Sequence, residues 1–108
     1  MKDLNSTEEM ILWAVWKLKD NAYGVTIRKR LSEVVGRVFP YGTIYGVLAK
    51  FNRQGLVIQR VGGHSPVRGG RNKNFYFITP KGLSALKEAL ELKKALWNDE
   101  SELALREN

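Results

Sequence analysis

The sequence predicts an α+β fold that is mainly helical, with three helices, a β-hairpin and a fourth helix. Three observations predict this class. Apolar residues recur with a helical period in four stretches of the chain. Two short runs of β-branched and aromatic residues flank a glycine-rich segment, as the strands of a hairpin do. The 108 residues are enough for a single core, and 44% of them are hydrophobic, which is ordinary for a globular domain.

The first helix is predicted to begin at a capping box, with Ser6 as the N-cap and Glu9 reaching back to its amide. The core stripe then consists of Ile11, Ala14, Val15 and Leu18, and Asp20-Asn21 ends the helix. Further apolar residues lie on the other sides of the same helix: Met10, Trp13 and Trp16. This helix therefore has more apolar surface than one core stripe needs, which predicts burial against a second surface as well.

The second and third helices are each bounded by glycine. The second is predicted from Gly24 to a stop at Gly36, with Ile27, Leu31, Val34 and Val35 facing inward and Arg28, Lys29 and Arg30 facing outward. The third is predicted over residues 43–54, opened by Thr43 and terminated by Gly55. Its inward residues are Ile44, Val47, Leu48 and Phe51.

The strands are predicted over residues 56–61 and 74–79, and residues 62–73 form a cationic, glycine-rich hairpin loop. Thr79 and Pro80 then supply the N-cap and first position of a helix over residues 80–97. That helix carries two neighbouring apolar stripes: Leu83, Leu86, Leu90, Trp97 and Ala85, Ala89, Leu92, Leu96. We accordingly expect a compact unit over residues 1–79, an associating helix over 80–97 and an acidic tail that frays over 98–108.

The charges are segregated along the chain. Between Val34 and Lys87 there is no Asp or Glu, whereas nine cations fall in that block: Arg37, Lys50, Arg53, Arg60, Arg68, Arg71, Lys73, Lys81 and Lys87. The net charge of the whole chain is +7. Solvated helices usually interleave both signs, but a surface that approaches a polyanion needs this separation, because carboxylates there would repel phosphate. The pattern indicates nucleic acid as a partner.

Three helices followed by a hairpin form the winged helix-turn-helix arrangement, and the major groove of double-stranded DNA admits one helix. The residues of helix 43–54 and its start that we expect at DNA are Tyr41, Thr43, Tyr45, Lys50 and Arg53. Gly46 and Ala49 are small enough to let this helix approach the groove floor. The wing over 62–73 adds Arg68, Arg71 and Lys73, which we expect at the backbone or minor groove. A plain solvated face accounts equally well for Lys50 or Arg53 taken singly.

Five segments, in order, resemble the PadR-type transcriptional regulators: Ala22-Tyr23-Gly24, Gly42-Thr43-Ile44-Tyr45, Gly55-Leu56, Arg68 to Tyr76, and Thr79-Pro80-Lys81-Gly82-Leu83. The resemblance covers roughly residues 6–97 and departs from the family at Gly46, where proline is usual, and at Asn72, which interrupts the wing cations. It implies a bacterial homodimeric repressor. In such a dimer the last helix of one subunit packs against the first helix of the other.

On that expectation the dimer interface contains Ile11, Trp13, Leu86, Leu90 and Trp97. If the first and last helices meet across the dimer, Trp13, Trp16 and Trp97 form a candidate pocket for a small aromatic or cationic effector, as some relatives have. Plain packing explains the same tryptophans, because tryptophan is enriched at interfaces, and we favour packing since a pocket also needs polar groups that orient a ligand.

Other classes of protein have little support. There is no cysteine, and the lone His64 cannot supply the three or four ligands of a zinc site. Nor could a glycine-rich loop hold His64 in place as a catalytic base. We expect no enzyme, cofactor, metal or membrane span. The lack of a signal-peptide layout and of a long apolar stretch predicts a cytoplasmic protein. Two alternatives to a sequence-specific regulator remain open, a nonspecific DNA-binding architectural protein and a winged-helix module that contacts an acidic protein.

Overall fold

The computed structural model describes residues 3–62 and 73–99. These residues form the elements in the predicted order: α1 (Ser6–Leu18), α2 (Gly24–Val35), α3 (Tyr41–Gln54), β1 (Val57–Val61), β2 (Asn74–Ile78) and α4 (Pro80–Trp97). A single 3-10 turn, Lys19–Asn21, follows α1. The predicted fold class is confirmed: three helices and a hairpin, with a fourth helix at the C-terminal side.

The start of α1 differs from the prediction by one residue. Asn5, and not Ser6, is the N-cap. Its Oδ1 accepts a hydrogen bond from the backbone N–H of Glu8 at 2.8 Å, and its own N–H donates to Glu8 Oε1 at 2.9 Å. Because Asn and Ser cap helices about equally well and each has a glutamate three residues later, the sequence alone does not separate the two frames.

Both boundaries of α2 and the C-terminal end of α3 agree with the prediction. Gly36 and Gly55 close the two helices with φ of 78° and 75°, in the left-handed region that favours glycine. However, α3 begins at Tyr41, two residues before Thr43, since the Pro40 carbonyl already accepts from the N–H of Thr43 at 3.1 Å. The inward placement of Val34 was wrong, because this side chain is 59% exposed.

The two strands pair antiparallel, with Val57 opposite Ile78 and Val61 opposite Asn74. The backbone N–H of Tyr76 donates to the Ala22 carbonyl at 2.8 Å, which attaches the connection between α1 and α2 to β2. Thr79 caps α4 as predicted, accepting from the Gly82 N–H at 3.0 Å, and Pro80 is the first helical residue. The two strands of the hairpin are thereby attached to the α1–α2 connection and to α4.

The core lies between α1, α2, α3 and the hairpin. It consists of the following buried side chains: Ile11, Leu12, Ala14, Val15, Ala22, Ile27, Leu31, Phe39, Ile44, Leu48, Phe51, Leu56, Val57, Tyr76 and Ala85. The last helix contributes only Ala85 to this set, and every described residue from Leu90 onward is exposed. The predicted fraying of the acidic tail falls mostly on residues 100–108, which lie outside the described part of the chain.

Candidate nucleic-acid interface

The outward side of α3 is a ridge of small residues that ends in an arginine. Gly42, Gly46, Ala49 and Arg53 recur at the spacing of one helical face, and all four are exposed. A Cβ added at Gly42 or Gly46 would meet open space, so no neighbouring side chain covers the ridge at these two positions. Among the described residues, Arg53 makes no hydrogen bond or ion pair. A smooth surface with one unpaired cation is suited to close approach by a groove floor.

One flank of the ridge is aromatic. The rings of Tyr41 and Tyr45 stack with their centroids 6.0 Å apart, and both side chains are exposed, at 37% and 45%. Thr43 is also exposed, in the first turn of the same helix. The structure therefore brings together two of the residues that the sequence predicted at DNA, Tyr41 and Tyr45. Thr43, two residues from each of them, lies on a different side of the helix.

Arg28 joins this flank from α2. Its guanidinium carbon lies 4.4 Å from the centroid of the Tyr41 ring, and its Nε donates to the Phe39 carbonyl at 3.0 Å. These contacts hold the guanidinium at the start of α3. The sequence predicted that Arg28 faces outward but not that it belongs to the site. The reversal of the chain between α2 and α3 brings Arg28 to Tyr41, and no periodicity within one helix predicts such a contact.

The position of Tyr45 depends on a glycine in the preceding helix. A Cβ at Gly24 would overlap the Tyr45 hydroxyl and ring. The contact between Gly24 and Tyr45 explains why a small residue in one of the family-like segments occurs together with a tyrosine in another. The Tyr45 side chain is thus placed against the first turn of α2.

Tyr76 lies beneath this aromatic flank. Burial raises the pKa of the Tyr76 hydroxyl above its ordinary value, and the proximity of Tyr45 raises it further. The Tyr76 side chain is 5% exposed, so the phenol is held neutral under the pH conditions in which proteins normally work.

Lys50 lies elsewhere than the sequence suggested. Its Nζ is 2.6 Å from Glu8 Oε2, although no acid occurs within the basic block of the sequence. Glu8 is almost fully buried, and it comes from the first turn of α1. The Lys50 ammonium therefore points along the flank of α3 that faces α1, away from the tyrosines.

The wing can be described only at its base. Lys73 Nζ lies 4.5 Å from the centroid of the Tyr23 ring, whose edge contacts Phe75 with the two centroids 5.3 Å apart. The Phe75 ring in turn covers Gly62, where a Cβ would overlap it. Lys73 is exposed, and its contact with Tyr23 places it beside the start of α2. The predicted DNA contacts Arg68 and Arg71 lie outside the described residues.

A groove of about 510 Å³ lies between α1, α2 and α4 and is lined mainly by their apolar side chains. Trp13, Trp16, Leu86 and Leu90 line it. Trp97 does not; it stands in the last turn of α4 with 68% of its surface exposed. Ile11 is fully buried in the core of the same subunit, so it has no surface to offer a partner.

The described residues hold few groups for other chemistry. In residues 3–62 and 73–99, no group of three or more His, Asp or Glu side chains is placed to bind a metal ion. Nor does any helix in those ranges have the length and hydrophobicity that a bilayer span requires.

The model of the Transcriptional regulator PadR-like family matches residues 14–88. No curated protein matches the sequence. Solved structures with a similar fold include a PadR-like transcription factor from Bacteroides fragilis, at 24% identity and a TM-score of 0.69, covering 94% of this chain and 89% of that one. A PadR family transcriptional regulator from Eggerthella lenta has 22% identity and a TM-score of 0.70, with 94% and 86% covered.

Bacillus subtilis PadR in complex with operator DNA is similar over 80% of this chain and 47% of that chain, at 22% identity and a TM-score of 0.67. These likenesses confirm the winged-helix fold that the order of elements predicted. The family model covers well over half of the sequence, including the three helices of the core from residue 14 and the hairpin. The chain therefore belongs to the PadR-like family of transcriptional regulators.

Proposed function

We propose that this protein is a homodimeric repressor that binds double-stranded DNA, with α3 in the major groove and the wing at the backbone or minor groove. The observation that carries the proposal is the exposed ridge of Gly42, Gly46, Ala49 and Arg53. A helix that only needs solvent contact gains nothing from two uncovered glycines, and Gly46, in the helix interior, destabilises it by about 1 kcal/mol relative to alanine. A helix that must approach base edges does gain from them.

Phosphate contacts are proposed on both sides of this ridge. Tyr41, Thr43 and Tyr45 offer hydroxyl groups, and Arg28 and Arg53 offer cations without a carboxylate partner among the described residues. From the wing, Lys73 and the predicted contacts Arg68 and Arg71 extend the basic surface. The solved complex of Bacillus subtilis PadR with operator DNA supports DNA binding by a protein of this fold.

Dimerisation is proposed through α4. Its C-terminal half exposes Leu90, Leu92, Leu96 and Trp97, and the groove beside it contains Trp13 and Leu86. Monomeric proteins rarely leave so much apolar surface in one patch. Packing of α4 against the α1 of a second copy would cover both the exposed half-helix and the groove, and it would set two α3 helices against two half-sites.

The same groove is also the candidate binding site for a small effector. Its volume falls within the range of ligand sites. Of the three charged side chains that line it, Glu9 and Lys93 already pair, with Lys93 Nζ 2.6 Å from Glu9 Oε2, and Lys87 is the third. Dimer packing accounts for Trp13 and Trp16 without a ligand. Tryptophan emission that shifts with one member of a panel of planar aromatic and cationic compounds would add an effector to the proposal.

The test is a fluorescence-anisotropy titration at physiological salt. The duplex immediately upstream of the gene that encodes this protein is compared with a scrambled duplex of equal length and composition. We expect the upstream duplex to bind at least about a hundredfold more tightly, which is below the usual ratio between specific and nonspecific sites and so a lenient threshold.

The other outcomes separate the alternatives. Equal and steeply salt-dependent binding to both duplexes would favour a nonspecific architectural protein. No binding to either at physiological salt would favour a module that contacts an acidic protein. After either outcome, selecting the duplexes that the protein binds from a random pool shows whether it has an operator elsewhere.

A further inference from the structure

Lys50 is the basic residue of α3 whose surroundings fit DNA contact least. Its ammonium lies 2.6 Å from the carboxylate of Glu8, and the Glu8 side chain is only 7% exposed. A buried carboxylate is stable in its charged form only with a counter-charge or strong hydrogen bonds. Lys50 provides that charge from a helix that is 42 residues away in sequence.

Glu8 is also part of the structure that begins α1. Its Oε1 accepts from the Asn5 N–H at 2.9 Å, and its own N–H donates to Asn5 Oδ1 at 2.8 Å. One carboxylate therefore closes the capping box with one oxygen and binds the middle of α3 with the other. A change in the direction of this carboxylate would shift α3 against α1.

The next residue of α1 makes the corresponding contact on its other side. Glu9 Oε2 lies 2.6 Å from Lys93 Nζ in α4. The first turn of α1 is thus attached to α3 through Glu8 and to α4 through Glu9. These two ion pairs differ in burial, since the Glu8 side chain is 7% exposed and that of Glu9 15%, and Lys93 is more exposed than Lys50.

We propose that Lys50 is a positioning residue for DNA recognition: its ion pair with Glu8 fixes the orientation of α3 on α1, and its ammonium does not contact phosphate. This inference rests on the proposed DNA-binding function. It assigns different roles to two cations on one helix, because Arg53 lies on the exposed ridge and Lys50 lies on the flank that α1 covers.

The experiment compares Lys50→Met with Arg53→Met, a matched change three residues further along the same helix. The affinity for the preferred duplex and for the scrambled duplex is measured over a series of salt concentrations. Each lost phosphate contact lowers the slope of log affinity against log salt by about one. We expect that loss for Arg53→Met. For Lys50→Met we expect an unchanged slope, with roughly tenfold weaker binding to the preferred duplex and little change on the scrambled one.

A double variant guards against loss of folding and against repulsion of DNA by the charge of Glu8 once the ammonium of Lys50 is gone. In Glu8→Gln/Lys50→Met both charges are removed, while the amide oxygen of glutamine can still accept from the Asn5 N–H. We expect the double variant to bind the preferred duplex within about threefold of wild type. If Lys50 contacts phosphate, the double variant binds as weakly as Lys50→Met and its salt slope falls by about one, and the proposal is overturned.

A second measurement tests the positioning role of Lys50 without DNA. If wild-type protein binds no duplex, DNA recognition has failed, but the attachment of α3 to α1 can still be scored by urea unfolding of the two single variants and the double variant. Effects of Glu8→Gln and Lys50→Met that simply add would overturn the positioning role. A double variant that is clearly more stable than the sum of the single changes predicts would support it.

Discussion

At the scale of single residues, Lys19 is the one place in the described chain where a side chain with a Cβ has a positive φ. It holds φ of 56° and ψ of −119° directly after α1. Such a backbone costs a residue other than glycine about 1–3 kcal/mol. Its ammonium lies 4.8 Å from the centroid of the Trp16 ring, which returns only part of that cost.

The strain predicts an unusual order of stability for two substitutions. Lys19→Gly and Lys19→Ala both remove the contact with Trp16, so the difference between them isolates the backbone. We expect the glycine variant to be the more stable by about 1 kcal/mol, even though glycine normally weakens a folded chain. Urea unfolding of the two variants measures the difference directly. An alanine variant that equals or exceeds the glycine variant would show that the turn relaxes to an unstrained conformation.

Arg28 carries a second prediction at this scale. Arg28→Gln keeps a donor for the Phe39 carbonyl but removes the charge beside Tyr41, so we expect all duplexes to bind more weakly by a similar factor. The slope of log affinity against log salt should fall by about one. Arg30→Gln is the control on the same helix, because Arg30 already lies 3.9 Å from Glu33. Equal effects of the two changes would remove Arg28 from the interface.

Two contacts at the site that the sequence did not predict share one physical cause. Lys50 meets Glu8 across 42 residues of sequence, and Arg28 meets Phe39 across 11. No spacing rule of helices or strands connects such positions. The absence of acids from a stretch of sequence showed only that no local carboxylate was available, since folding brings Glu8 into the basic block from outside it.

At the scale of elements, most boundaries were predictable because single residues set them. Gly36 and Gly55 end helices through a left-handed φ, and Thr79 followed by Pro80 begins one. Where two residues compete for the same role, the sequence does not choose between them. Asn5 and Ser6 are equivalent caps, and at α3 the preference for Thr43 was overridden by the extended backbone of Pro40.

Gly46 is unfavourable for the stability of α3 but favourable for its proposed approach to DNA. Gly46 lies in the middle of a helix, where its replacement by alanine should stabilise the fold, and nothing within 4 Å opposes the added methyl group. We attribute the glycine of this chain to a close approach of α3 to the groove floor.

Gly46→Ala should therefore change stability and DNA binding in opposite directions. We expect a gain in unfolding free energy of about 1 kcal/mol and a loss of about tenfold in affinity for the preferred duplex, because an extra methyl group is forced into a close contact. Urea unfolding and anisotropy measure the two effects. Ser84→Ala, on an exposed position of α4, is the control and should gain stability without affecting DNA. Unaltered affinity in Gly46→Ala would show that the ridge does not approach the bases.

At the scale of the whole molecule, the fold separates two surfaces. The ridge of α3 and the base of the wing belong to the basic block, whereas the exposed apolar half of α4 lies beyond its end at Lys87. The sequence predicted excess apolar surface on both terminal helices. In the structure α1 buries Ile11 within its own subunit, and the surplus lies with Trp13 and Trp16 in the groove and with the last turns of α4.

Leu90 tests whether the apolar surface of α4 makes the dimer. The side chain is 51% exposed and lines the groove, so its replacement by arginine leaves the core of the subunit intact. We expect Leu90→Arg to be a folded monomer by light scattering. Its affinity for a duplex with two half-sites should fall by about a hundredfold or more, because the second half-site is no longer bound by a linked subunit. Its affinity for a single half-site should stay the same.

The adjacent Glu91→Arg adds the same side chain at an exposed position that does not line the groove, and it should remain dimeric. The pair of variants separates the loss of an apolar contact from the gain of a positive charge, which by itself favours DNA binding. If Leu90→Arg stays dimeric while a change at Leu92 or Leu96 does not, α4 associates through its other apolar stripe. If none of the three changes dissociates the dimer, association depends on a different surface, and the spacing of the half-sites must then be set by that surface instead of by α4.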